Sequence, residues 1–507
     1  MILIVDFGGQ TAHLIGRRLR QIGAKIEYTT PEDTLKKVKS QKSKVKGIIL
    51  SGGPSSVYDM DAPTIQKSIF DLGIPILGIC YGWQLMAHLL GGEVKLTTRE
   101  YGPEKINITK PIGVLKNLPK KDFSVIVSHG DSVIKLPPGF ESLAKTQTVE
   151  YSAVVNETKK LFGVQFHPEA AHTEYGVEVL QNFITLCKET LAPLSLNPQQ
   201  IIADIKKTVG DNKVIAAVSG GVDSTVAAFL IGRAIGKNLI PVYVDSGLMR
   251  ADTDKHVSYI FSKLIKSNLV IINARKRFID SLKGITDPEQ KRKIIGSLYI
   301  DIFNEVASQQ KSAKFLGQGT IYSDVIESKG SKHASNIKSH HNVGGLPAEM
   351  KLTLLEPNRN YYKDEVREIG RLSGLPEEIV MQQPWPGPGH AINIMGEVTE
   401  KRLSQVMQAD NIVVQELKKA NLYEKTFECF AVMTGSYSTA VKGDGRVYAE
   451  VVAVRSIDTD DLMTVDWSRL PYDVLQKISS RIVNEVPDVS RVVYDITTKP
   501  PATVRWE

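Results

Sequence analysis

The sequence predicts an α/β protein: two doubly wound parallel-sheet domains followed by a smaller C-terminal α+β unit. Three observations lead there. Short apolar runs, "ILIVDFG", "KGIILSGGP" and "PILGICYG", alternate with amphipathic stretches, and each ends in a glycine-rich turn at the carboxyl end of a strand. The alternation starts afresh beyond residue 200, with "VIAAV", "LIPVYVDSG", "LVIINA" and "KFLGQGT" as strands. A chain of 507 residues is also too long for a single core.

The first unit is expected over 1–190. The polar, proline-bearing "LAPLSLNPQQ" (191–200) reads as a linker. The second unit, 201–388, is closed by "QQPWPGPGH", whose three prolines cannot continue a helix or an inner strand. The third, 389–507, mixes a helical stretch with "VYAEVVAVRSI" and "RVVYDITT". Lys and Arg exceed Asp and Glu by 63 − 56 = 7, a small excess that suits anionic small molecules as readily as nucleic acid. The densest basic run, "LKKVKSQKSKVKG", has no interleaved aromatics and reads as solvated surface. Three cysteines, no leader-like start and no bilayer-length apolar run point to a cytoplasmic protein without a membrane partner, and with no recognisable RNA-binding module no nucleic-acid partner is expected.

Cys80 lies between a buried strand and a helix, flanked by Gly78 and Gly82. That is the G-x-C-x-G form of a nucleophile elbow, in which small neighbours let the chain turn sharply. A helix N-terminus also favours the thiolate. The alternative is a buried structural cysteine. His167 and Glu169, two apart, face the same way on an extended segment, which suits a base oriented by a carboxylate. The adjacent glycines of "SGGPSSV" (51–57) could supply N–H groups to an oxyanion.

The second site is "SGGVDST" (219–225), after a buried strand and opening a helix. Backbone N–H groups around Gly220, Gly221 and Val222 can wrap an anion, and Ser219, Ser224 and Thr225 add hydroxyls. Asp223 can bind or position Mg²⁺. The Gly-Lys-Ser/Thr of a γ-phosphate hydrolase is missing. A plain glycine turn is the alternative.

"SGGP" (51–54), "GICYG" (78–82), "SHGD" (128–131) and "GVQFHPE" (163–169) together resemble class I glutamine amidotransferases. The resemblance implies a flavodoxin-like first domain that hydrolyses glutamine through a cysteinyl thioester. Cys80 would be the nucleophile, His167 the base and Glu169 its partner. Gly53 and the Tyr81 amide would hold the oxyanion, and Gln84 the substrate. The loop at 219–225 resembles that of the ATP pyrophosphatases, an α-hydrolase-like fold in which the bond between α- and β-phosphates is cleaved and the acceptor is adenylated. There Asp245, at the end of the next strand, would meet the nucleoside.

"GITDPEQKRKIIG" (284–296), "GQGTIYSDVIES" (317–328), "IKSHHNVGGLP" (337–347), "YKDEVREIG" (362–370), "PWPGPG" (384–389) and "KPPATVRWE" (499–507) extend the resemblance, over essentially the whole chain, to the glutamine-hydrolysing GMP synthetases. It implies a ligase of purine biosynthesis that uses glutamine, ATP, Mg²⁺ and XMP, and a homodimer paired through the C-terminal unit. It also implies a lid in which Asp324, Glu327, Lys338 and Lys363 assist adenylation, and places Arg292, Arg491 and Lys499 near the acceptor's phosphate. An inactive binding protein and an RNA-modifying enzyme are the rival classes; both constellations are intact, and no RNA-binding module is recognisable.

The chain departs from that family's pattern near its end. Arg505 stands where a glutamate is usual, Gly435 and Tyr437 where a proline and a basic residue are, Lys442 where an apolar residue is, and His390 and Asn393 in place of leucine and arginine. These leave open an altered acceptor, a different purine-like substrate for the same chemistry.

Overall fold

The computed structural model describes residues 1–9, 11–41, 44–192, 196–310, 312–328, 352–459, 464–499 and 501–507. Nine strands form the first sheet: β1 (Ile2–Val5), β2 (Ile26–Thr29), β3 (Gly47–Leu50), β4 (Ile76–Ile79), β5 (Glu93–Ile108), β6 (Asp122–Lys135), β7 (Glu141–Lys145), β8 (Ala153–Asn156) and β9 (Leu161–Val164). Their order is β2-β1-β3-β4-β9-β8-β7-β5-β6. The first five in that order are parallel. Inner strands buried on both faces read as continuous apolar runs, with alternate residues going to opposite layers. Ile2, Ile4, Ile49, Leu77 and Ile79 pack on one side, and Leu3, Val5, Ile48, Leu50 and Ile76 on the other. The doubly wound arrangement covers this parallel part. From β8 onward the pairing turns antiparallel, ending in the long β5/β6 hairpin that the sequence reading did not include.

The second sheet is wholly parallel, in the order β12-β11-β10-β13-β14, from β10 (Lys213–Ala217), β11 (Leu239–Asp245), β12 (Val270–Asn273), β13 (Ala313–Gly317) and β14 (Thr353–Leu355). A helix over Pro198–Val209 leads into it, capped by the Asn197 side chain and begun by proline at its first turn, so the last three residues of the expected linker are helical.

The third sheet joins β15 (Glu428–Lys442) and β16 (Gly445–Asp458) as a hairpin, with β17 (Asp466–Trp467) antiparallel and β18 (Val489–Tyr494) parallel to β16. Its core is shared with the second unit. Phe278, Ile295 and Ile302 pack with Ala391, Leu403, Val406 and Val452 in one apolar cluster. The first unit meets the second through the helix Ala12–Ile22. Arg20 pairs with Glu365 at 3.2 Å and Arg17 with Asp364 at 3.3 Å, while the Tyr362 hydroxyl donates to His13 O at 2.9 Å.

Candidate active site

Cys80 follows β4 and opens the helix Tyr81–Leu89 with φ 51° and ψ −110°, a conformation a non-glycine residue holds only where its surroundings impose it. They do so here. A Cβ on Gly78 would stand 2.7 Å from the Trp83 nitrogen, and one on Gly82 would collide with the Leu50 carbonyl. Gly82 N–H donates to Ser51 O at 3.0 Å, which ties the elbow to the 51–53 loop. Gly52 borders both the His167 ring and Cys80, and Gly53 lies against the Tyr81 ring.

The His167 Nδ1 meets Glu169 Oε1 at 2.8 Å, and Glu169 is wholly buried. That bond leaves Nε2 for the sulfur, with which His167 is in hydrogen-bond contact. Burial alone would push the imidazole down. The Glu169 carboxylate and the Cys80 sulfur outweigh burial and hold it well above its ordinary value. Ser128 O accepts from Cys80 at 3.8 Å. Gln84, which the sequence assigns to substrate, is buried and donates to Asp131 O at 2.6 Å. Both acceptors belong to "SHGD". Behind them His129 pairs with Glu100 at 2.9 Å, both almost wholly buried. The 128–131 backbone therefore forms one wall of the site. The sequence resemblance alone assigns these residues no role.

Ser219, Gly220 and Gly221 form the turn between β10 and the helix Val222–Ile235. Gly220 has φ +84°, and a Cβ there would press on Val257 at 2.8 Å, so only glycine fits. Ser219 and Ser224 hydroxyls bond each other at 3.2 Å, and Gly221 N–H donates to Ser219 Oγ at 3.4 Å. Thr225 is buried with no partner for its hydroxyl among the described residues. Asp223 sits on the first helical turn, with Lys363 Nζ 3.1 Å from one carboxylate oxygen. Its other carboxylate oxygen is buried without a hydrogen-bond partner among the described residues. Asp245, at the end of β11, pairs with Arg275 at 2.7 Å on the lining of a cavity of about 380 Å³, which Arg250, Thr253 and Ser404 also line.

Of the residues the resemblance assigns to a lid, Asp324 caps its own helix, accepting from Ile321 N–H at 3.0 Å. Lys363 reaches the 219–225 loop through Asp223. Glu327 lies on the helix Tyr322–Ser328, with its side chain outside the description. Lys338 lies outside the described residues. Arg292 donates to the carbonyl of Glu507, while the neighbouring Lys291, wholly buried, pairs with the Glu507 carboxylate. Arg491 is exposed on β18, and Lys499 is bridged to Val465 through its backbone.

The departures have a structural reason. Arg505 turns inward, pairs with the buried Glu428, donates to Asn393 Oδ1 at 3.1 Å and stacks 3.9 Å over the Phe430 ring. Next to it His390 is fully buried against Trp385, and burial pushes it down to about 4. Arg505, Asn393 and Glu428 are thus one internally compensated cluster. Tyr437 instead stacks on Tyr448, 5.6 Å between centroids, on the exposed part of the β15/β16 hairpin. Gly435 has φ +70° and its N–H donates to Glu450 at 2.8 Å. Lys442 donates to Val483 O at 2.7 Å.

Residues 3–187 match the family described as glutamine amidotransferase class-I, and 415–506 match the GMP synthase C terminal domain. The chain is 48% identical over 510 residues to the GMP synthase [glutamine-hydrolyzing] of Brachyspira hyodysenteriae, covering 100% of this chain and 99% of that protein. The protein of the same description from Lactobacillus gasseri is 48% identical over 510 residues, covering 100% and 98%. With an assembled cysteine site in the amidotransferase region and full-length likeness to both relatives, the chain belongs to the glutamine-hydrolysing GMP synthase family.

Proposed function

We propose that the chain converts XMP to GMP with ammonia taken from glutamine, driven by cleavage of ATP to AMP and pyrophosphate. The observation that carries this is the pairing, in one chain, of the buried Cys80–His167–Glu169 set with a phosphate loop that lacks the γ-phosphate lysine.

In the first unit the Cys80 thiolate attacks the side-chain carbonyl carbon of glutamine. The carbon–nitrogen bond breaks, and nitrogen leaves as ammonia with the proton from His167. Water, giving a proton back to His167, then cleaves the thioester to glutamate and frees the thiolate. Gly53 and Tyr81 amides receive the oxyanion, and Gln84 holds the substrate. In the second unit Ser219–Thr225 hold the ATP phosphates and Asp245 meets the nucleoside. The acceptor oxygen attacks the α-phosphorus, pyrophosphate departs, and ammonia displaces AMP. Asp324, Glu327, Lys338 and Lys363 assist adenylation; Arg292, Arg491 and Lys499 bind the acceptor's phosphate.

Asp223 fits a magnesium ion. It offers a hard carboxylate with one unpartnered buried oxygen at the loop, the sparse protein donation typical where phosphates complete the coordination. When bound, Mg²⁺ offsets negative charge on the departing pyrophosphate. A homodimer is supported by Tyr437, Val441 and Tyr448, exposed together on the β15/β16 hairpin. Cys80, Cys187 and Cys429 are free thiols, in keeping with the cytoplasm, and among the described residues no helix is long and apolar enough to cross a membrane. Because Arg505 is engaged inside the chain, its charge gives no ground for a different acceptor.

The test is AMP formation from ATP and ammonium across a panel of purine nucleotides. XMP as the best acceptor supports the reading; a better acceptor than XMP, or no AMP with any, overturns it.

A further inference from the structure

Beyond β9 the chain bends at Gln165 and Phe166 and turns at Pro168 and Glu169, so the extended segment expected for His167 and Glu169 is replaced by a turn, which Gln165 precedes. Gln165 is 1% exposed, and its backbone N–H is fixed to Ser152 O at 2.9 Å. Its side chain lies between the nucleophile and the glutamine pocket. The Nε2 group donates to Cys80 Sγ at 3.7 Å, and Oε1 accepts from Gln84 Nε2 at 3.5 Å. The orientation of this amide follows from its neighbours. Gln84 presents donors, one of them already given to Asp131 O, so the Gln165 oxygen faces Gln84 and the NH₂ faces sulfur. A donor aimed at sulfur favours the thiolate, which accepts, over the thiol, which needs an acceptor of its own such as Ser128 O.

Resting on the glutaminase reading of Cys80, we propose that Gln165 is a further catalytic residue of glutamine hydrolysis. Its amide donates to the Cys80 sulfur, and through Gln84 it keeps nucleophile and substrate pocket in register. Two effects follow. The charged nucleophile receives a hydrogen bond from Gln165 as well as from His167, and the sulfur keeps one direction of attack on a planar amide.

The experiment compares wild type, Gln165→Met and Gln165→Glu. Methionine keeps the length without the donor; glutamate puts an acceptor where the donor stood. Cys80 is alkylated with iodoacetamide from pH 6 to 10, with a Cys80→Ala sample subtracting the other thiols. Glutaminase kcat and KM are measured on the same preparations, and ammonium-driven synthesis reports that each variant is folded. The expected result is an alkylation rate at pH 7 about tenfold lower in Gln165→Met, recovering as pH rises, with kcat falling by a similar factor. Gln165→Glu is affected more strongly than Gln165→Met. A variant profile superimposable on wild type, or a change in KM with alkylation untouched, overturns the proposal. Failure of the underlying reading looks different: alkylation of wild-type Cys80 then leaves glutamine-dependent synthesis intact, whatever the variants do.

Discussion

The Cys80 site and the 219–225 loop, proposed for glutamine hydrolysis and ATP binding, occupy equivalent places, each at the carboxyl end of a parallel strand, yet they are finished to different degrees. Around Cys80 every reacting side chain is buried and has a partner on the protein: His167 on Glu169, the sulfur on Gln165 and Ser128. Around Gly220 the donors are turned on each other. Ser219 bonds Ser224, and Asp223 bonds Lys363, in a loop whose leading serine is exposed. A nucleophile must be charged before its substrate arrives, so the protein supplies the counter-charge. An anion cradle gains its missing charge from the ligand and is completed by it.

That contrast orders the expected effects. Asp223→Asn removes the charge from the loop that depends most on its ligand, and AMP formation should fall by roughly a thousandfold with glutamine and ammonium alike. Near-normal AMP release in a steady-state assay removes Asp223 from the mechanism and erases the contrast. Arg505→Glu tests whether the C-terminal cluster is self-contained like the cysteine site. It sets two carboxylates together in a buried place and should cost about 3–5 kcal/mol in urea unfolding, part of it recovered by adding Glu428→Gln. An unchanged midpoint means Arg505 is not committed inward.

Glu169→Gln sharpens the first half of the comparison. It takes away the carboxylate that holds His167 high, so the imidazolium is lost at lower pH. Glutamine kcat/KM should drop about a hundredfold, and its alkaline limb should move toward neutrality. A limb that stays in place assigns that titration to another group. The smallest effect belongs to His390, lowered from its ordinary 6.5 to about 4. The unfolded chain takes up a proton there that the folded chain refuses, so stability is lost as pH falls below about 6.5. His390→Leu should return about 2 kcal/mol at pH 5 and almost nothing at pH 7.5, read from urea midpoints at the two values.

The sequence carried much of this because the chemistry depends on local backbone. Gly78, Gly82 and Gly220 are required by close approach or positive φ, and Cys80, His167 and Glu169 sit at fixed offsets on turns. What it did not carry depends on contacts between distant segments. Arg505 reads as a charge facing substrate until Glu428 and Asn393, 77 and 112 residues away, are seen beside it. The β5/β6 hairpin, which brings Ser128 and Asp131 carbonyls to Cys80 and Gln84, is set by antiparallel register rather than by any motif. Gln165 was missed as well: it stands two residues before His167 within the quoted motif, but a bend and a turn rather than strand alternation bring it to Cys80.

The division of labour between the two sites is tested most directly by Cys80→Ala, assayed for GMP with glutamine and separately with ammonium. The variant should make no GMP from glutamine and should keep near wild-type synthesis from ammonium, because the thiolate serves only thioester formation. Equal loss with both nitrogen sources in a folded protein contradicts the account.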